Sequence, residues 1–166
     1  MSGKRDETLK ALDWRDRVDL ARNTNTTAKI LEILATDESE YVRYIVAGNP
    51  STSGKLLNKL AEDENWEVRC AVAENPSAPS GVLMSLATDE DWEVRQAVAW
   101  NANAPRKVLA GLATDEDSDV RRALAVNPKI TPEAITLLCF SEESDIRKAL
   151  SENPAVPEHI RVGLSL

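Results

Sequence analysis

Apolar residues along this chain fall in short groups with helical spacing. In Glu67–Ala73 the side chains of Val68, Ala71 and Val72 stand at i, i+3 and i+4. That spacing lines one face of a helix and is not the alternation of a strand. Val82, Leu83, Leu86 and Ala87 form a second group of the same kind. Polar punctuation separates the two. Asn75-Pro76 closes the first pattern, because the residue before proline is pushed out of the α region and asparagine tolerates a left-handed C-cap. Pro79 and Pro105 can take the first position of the second helix, where a missing N–H costs nothing. Thr131-Pro132 does the same one residue later, with Thr131 as N-cap. An acidic run such as Asp89-Glu90-Asp91 then opens the next helix, where carboxylates complement the helix dipole. Helices of two to three turns are marginal alone, so stacking on neighbours must stabilise them.

The whole pattern recurs every 26 residues. Arg17, Arg43, Arg69, Arg95, Arg121 and Arg147 keep that spacing. So do Asn23, Asn49, Asn75, Asn101, Asn127 and Asn153, and so do Leu34, Leu60, Leu86, Leu112, Leu138 and Leu164. Asp37, Asp63, Asp89 and Asp115 share a fourth phase, with Ser141 next in line. Such self-similarity is the mark of a repeat architecture. The repeats run 15–40, 41–66, 67–92, 93–118, 119–144 and a shorter 145–166. The first is the most worn, with Asp16 where the others have Val or Ile. Residues 1–14 form an N-terminal capping segment in which Leu9 and Leu12 can supply a helical turn. The expected fold is an all-α solenoid of about six 26-residue units, each with two short helices and no sheet.

Composition narrows the function. The 166 residues carry a formal charge of −8 and only seven aromatic residues. The core is therefore aliphatic, and the charge opposes non-specific binding to nucleic acid or anionic lipid. Cys70 and Cys139 stand far apart with no CxxC, which disfavours a disulfide framework or a cysteine-rich metal site. The N-terminal residues include no apolar signal region. No apolar run approaches the roughly 20 residues of a membrane span. A soluble, cytoplasmic protein that needs no cofactor and no metal is expected.

The unit V-R-x-A-V-A-x-N-P-x-x-P-x-x-x-L-x-x-L-A-x-D resembles the leucine-rich repeat variant family. Val-Arg, Asn-Pro and Leu-x-x-Leu-Ala recur together and in order over residues 15–166. The resemblance implies a right-handed superhelix in which each repeat pairs an α-helix with a short 3₁₀-type helix. HEAT-type repeats, with longer helix pairs, are the near alternative. The family's founding type carries a cysteine cluster for an iron–sulfur centre ahead of its repeats. Residues 1–14 here contain no Cys, so that chemistry is not carried over.

The recurring polar residues read as architecture. Each Arg sits between Val and an apolar pair, and an in-phase Asp offers a carboxylate partner. Each Asn can bridge free backbone groups at a turn. The acidic clusters lack the alternating pattern of a calcium loop and suit helix capping. Trp14, Trp66 and Trp92 share a phase with Glu40, Ser118 and Ser144, which places them on a rim and not in the core. The candidate site lies where the repeat fails to repeat. Two variable positions, four apart and on one helical face, hold Val18, Tyr44, Cys70, Gln96, Arg122 and Lys148, then Arg22, Gly48, Glu74, Trp100, Val126 and Glu152. Solenoids display recognition residues in this manner.

Tyr44, Gln96, Trp100 and Arg122, with Trp66 and Trp92, are therefore the expected contacts for a protein partner, and the function expected is a non-enzymatic interaction scaffold. The rival is a HEAT-like solenoid that binds nucleic acid through its Arg ladder. Catalysis has little support: His159 is the sole His, and no Gly-rich phosphate loop or metal-ligand spacing is present. The C-terminal repeat, with Ile160, Leu164 and Leu166, is expected to offer an apolar end for an end-to-end homodimer.

Overall fold

The protein is described by a computed structural model, which covers residue 9 and residues 11–164. Twelve helices are present among these residues, and no strand. The first helices of the six repeats are α1 (Trp14–Arg22), α3 (Glu40–Gly48), α5 (Trp66–Glu74), α7 (Trp92–Trp100), α9 (Ser118–Val126) and α11 (Ser144–Glu152). The second helices are α2 (Ala28–Leu34), α4 (Gly54–Leu60), α6 (Ser80–Leu86), α8 (Arg106–Leu112), α10 (Pro132–Leu138) and α12 (Glu158–Leu164). Leu12 donates its N–H to the Leu9 carbonyl at 3.2 Å, a single turn ahead of α1.

Three local expectations are corrected. The second helix of each repeat is α-helical and not 3₁₀. The carbonyl ahead of it accepts an i+4 bond, as in Leu31 N–H to Thr27 O at 3.1 Å and Leu57 N–H to Ser53 O at 2.9 Å. The asparagines close the first helices in extended backbone, with φ −64° and ψ 125° at Asn75, and no described residue has positive φ. The following proline enforces the extended form at Asn49, Asn75, Asn127 and Asn153. Finally, Pro105 is the N-cap of α8 and Pro79 precedes α6, one position earlier than expected. Thr131 behaves as anticipated: its hydroxyl accepts the Ala134 N–H at 3.2 Å, with Pro132 opening α10.

The chain divides into two compact blocks, residues 1–82 and 83–166. In the first, α1, α3 and α5 pack in order, with α2 and α4 wedged between successive first helices. In the second, α7, α9 and α11 pack in order, backed by α8 and α10, and α12 packs on α11. The core is the apolar stripe of each helix. Val42, Val46, Leu57 and Val68 in the first block, and Val94, Leu109, Leu124 and Leu150 in the second, are fully shielded from solvent. Such side chains contribute about 1.5–3 kcal/mol each through burial. A further buried phase holds Thr26, Thr52, Ala78, Ala104, Ile130 and Val156. The two threonines fit because their hydroxyls donate to the Leu20 and Val46 carbonyls, both at 2.6 Å.

The polar ladders tie consecutive repeats together. Asn75 Nδ2 donates to the carbonyls of Ala47 at 2.7 Å and Asn49 at 3.0 Å, while its Oδ1 accepts the Ser77 N–H at 2.8 Å. Asn49 makes the same bonds to Ala21 and Asn23, Asn127 to Ala99 and Asn101, and Asn153 to Ala125 and Asn127. Each amide thus satisfies a carbonyl in the last turn of the preceding repeat's first helix and adds a second bond to the carbonyl of that repeat's asparagine, which already accepts a turn N–H. The arginines span two loops. Arg43 Nη1 donates to the Asp37 carbonyl at 2.9 Å, and its Nε and Nη2 grip Asp63 at 2.7 and 3.0 Å. Arg95 repeats this with the Asp89 carbonyl and with Asp115. Arg17 Nε lies 2.8 Å from Asp37 Oδ2 as an ion pair out of line for a hydrogen bond, while Nη2 donates to Oδ1 at 3.3 Å. Where Ser141 breaks the Asp phase, Glu143 accepts the hydrogen bond from Arg121.

Burial alone would raise the Asp63 carboxyl. The bonds from Arg43 and from the Asn65 N–H, with the charges of Arg43 and Arg69, outweigh burial and hold it below the ordinary carboxylate value. The Arg43 guanidinium is correspondingly pulled up by its bond to Asp63. A depressed carboxyl adds stability in full above its unfolded value, near 4, and loses it as pH falls through the lower folded value. Urea midpoints measured from pH 6 down to pH 2.5 should therefore fall more steeply for the wild type than for Asp63→Asn; parallel curves would contradict the pairing. Asn75→Ala strands the buried carbonyl of Ala47 and takes one of two bonds from that of Asn49, which keeps the Thr52 N–H at 2.9 Å, and should lower stability by about 2 kcal/mol in the same urea assay at neutral pH.

Candidate interaction face

One face of the first helices carries the variable positions. In the first block it presents Arg22 from α1, Tyr41, Tyr44 and Gly48 from α3, and Glu67, Cys70 and Glu74 from α5. Two adjoining hollows share Tyr44, Ala71 and Glu74. The first, about 360 Å³, is completed by Tyr41, Trp66, Glu67 and Cys70. The second, about 390 Å³, is completed by Arg22, Gly48 and the Asn-Pro turns at 49–50 and 75–76, with Ile45. At Gly48 a Cβ would stand in open space, with nothing within 4 Å. The Tyr41 and Tyr44 rings stack with centroids 6.1 Å apart. Arg22 Nη2 reaches the Tyr41 hydroxyl at 3.5 Å. Partial burial, then the charge of Glu74 and further groups including Glu67, push the Tyr44 hydroxyl above its ordinary value, so it stays a protonated donor at neutral pH.

The structure brings together two of the expected contacts here, Tyr44 and Trp66. In the second block Gln96 and Trp100 share one face of α7, and Arg122 extends from the adjacent α9. Trp100 is 57% exposed. Arg122 is half exposed and bonds Asp119, one turn earlier, at 2.6 Å. Trp66 and Trp92 are the first residues of α5 and α7 and lie on the surface. Tyr41 and Glu67 were missed among the candidates. The signal was available, because each stands three residues before a variable position and so shares its face. At the C-terminal end Ile160 and Leu164 are half-buried, and Leu166 lies outside the described residues.

The Arg ladder is not an open rail. Arg17, Arg69 and Arg95 are buried, and Arg43 has little exposure. Their guanidinium groups are committed to carbonyls and carboxylates. Among the described residues no group of three or more His, Cys, Asp or Glu could hold a metal ion. No helix among them is long and apolar enough to cross a membrane.

Repeated helix pairs packed only on their neighbours, with polar ladders between successive repeats, define an all-α repeat solenoid. Its fold is that of a leucine-rich repeat variant. The leucine-rich repeat variant family model matches residues 66–91, one repeat. A solved structure described as a leucine-rich repeat variant with a novel repetitive structural motif superposes with a TM-score of 0.70 at 24% identity, over 96% of this chain and 68% of that one. No curated protein matches the chain. With the ladder arginines bonded into the stack, the chain should give no mobility shift with duplex DNA even at 20 mM salt; a salt-dependent shift would show that the ladder opens.

Proposed function

We propose that the chain is a non-enzymatic scaffold that binds a protein partner through the non-repeating positions of its first helices, at Tyr44, Gln96, Trp100 and Arg122, with Trp66 and Trp92 on the rim. The observation that carries this reading is a division of labour within one helix. The recurring Arg, Asn and apolar side chains are buried or bonded into the stack. The variable column beside them leaves Trp100 and Tyr44 open to solvent. Exposed aromatic side chains on a rigid surface are costly to keep wet and are the residue types most enriched at binding hot spots. A repeat stack offers such a surface pre-organised, so little ordering entropy opposes association.

Immobilised wild type, Trp100→Ala and Tyr44→Ala should separate the readings in a pull-down from the native extract. Each substitution removes an exposed ring, so circular dichroism should be unchanged. A partner held by the wild type should lose about 30-fold in affinity with Trp100→Ala, as for a hot-spot residue worth about 2 kcal/mol. Equal retention by all three proteins would move the interaction away from this face.

A further inference from the structure

The hollow bounded by Tyr41, Tyr44, Trp66, Glu67, Cys70 and Glu74 has a composition unlike a plain apolar groove. Three aromatic rings line it, each 37–45% exposed. Two carboxylates, Glu67 and Glu74, line it as well. Among the described residues neither pairs with an arginine or lysine, although most acidic loops of this chain are tied to the Arg ladder. Arg22 lines the adjoining hollow, which shares Glu74, and its Nη2 stands 3.5 Å from the Tyr41 hydroxyl, but it forms no ion pair with either carboxylate.

Aromatic faces attract cations through their quadrupoles, and two carboxylates without an ion-pair partner set the same sign of potential. An anion placed here would meet both carboxylates. An apolar side chain would cover them and forfeit their hydration. A cation gains from both sets of groups, and a planar guanidinium can also lie on a ring.

We propose that this hollow takes the cationic tip of an arginine or lysine side chain from a basic segment of the partner protein. This rests on the scaffold reading above and names the chemistry that one part of the face recognises. The aromatic rings hold the side chain's stem and face, and Glu67 and Glu74 accept its N–H groups. The hollow is about 360 Å³, room for one such side chain and not for a folded element, so the remaining contacts fall to the neighbouring variable positions.

The test is an NMR titration of the intact chain with N-acetyl-arginine amide, which lacks the charged termini of the free amino acid. The Trp66 indole N–H signal should shift saturably, and the uncharged isostere N-acetyl-citrulline amide should leave it in place. Glu67→Gln/Glu74→Gln should weaken the arginine amide about tenfold. Glu32→Gln/Glu62→Gln, which removes the same charge from exposed positions elsewhere in this block, should not. Tyr44→Leu should weaken it about fivefold. A citrulline response equal to the arginine response, an unchanged affinity in Glu67→Gln/Glu74→Gln, equal shifts of all four Trp indoles, or binding of free arginine but not of the blocked amide would each overturn the proposal. If the indole fails to respond while a partner still depends on Trp100, the cation site is wrong and the scaffold reading stands. If the indole responds as expected but no partner depends on the face, the scaffold reading is what fails.

Discussion

The structure depends on how each repeat closes its first helix. A helix of nine residues leaves its last carbonyls without internal partners, and Ala47, Ala99 and Ala125, which carry such carbonyls, are shielded from solvent. The asparagine at the end of the next helix supplies the missing donors. Asn75 reaches back to Ala47 and Asn49, and Asn153 to Ala125 and Asn127. Its carbonyl oxygen caps the turn that follows, so one side chain ends its own helix and completes the previous one. The backbone at each asparagine must then be extended, which a following proline favours at four of the six. Helix length, turn shape and period are consequences of that one bridge.

The arginines work on the opposite side of each repeat by a related logic. A guanidinium has enough donors to hold a carbonyl and a carboxylate together. Arg43 uses them on Asp37 and Asp63, and Arg95 on Asp89 and Asp115. The pairs are registered by geometry more than by net energy, since desolvation offsets much of the attraction. The replacement of Asp by Ser141 shows what is required of the partner. A carboxylate must reach the guanidinium, but it need not come from the same position, and Glu143 provides it.

Much of this was legible because the constraint repeats. The Arg, Asn and Leu phases, the helix pairs and the capping at Thr131 follow from spacing and residue type. The extended asparagines were legible at the four Asn-Pro steps, where the proline pushes the preceding residue to extended backbone, but not at Asn23 and Asn101, which lack the proline. The phase of Thr26, Thr52, Ala78, Ala104, Ile130 and Val156 was hidden as well, since it opens with two polar residues before four apolar ones and the threonines satisfy themselves on local carbonyls. The variable column was visible as a lapse in the pattern. That Tyr44 and Trp66 share a hollow with Glu67 and Glu74 was not, because those residues come from two repeats and meet only through the packing of α3 on α5.

Positions that hold the stack are distinct from the variable positions proposed to meet a partner. The most direct measurement is the urea unfolding of one variant, Tyr44→Ala/Gln96→Ala/Trp100→Ala/Arg122→Ala. If these side chains belong to recognition alone, the loss of stability stays within about 0.5 kcal/mol per site and the transition keeps its slope. A loss of several kcal/mol beyond that, or a transition that splits in two, would place these residues in the framework and contradict the division.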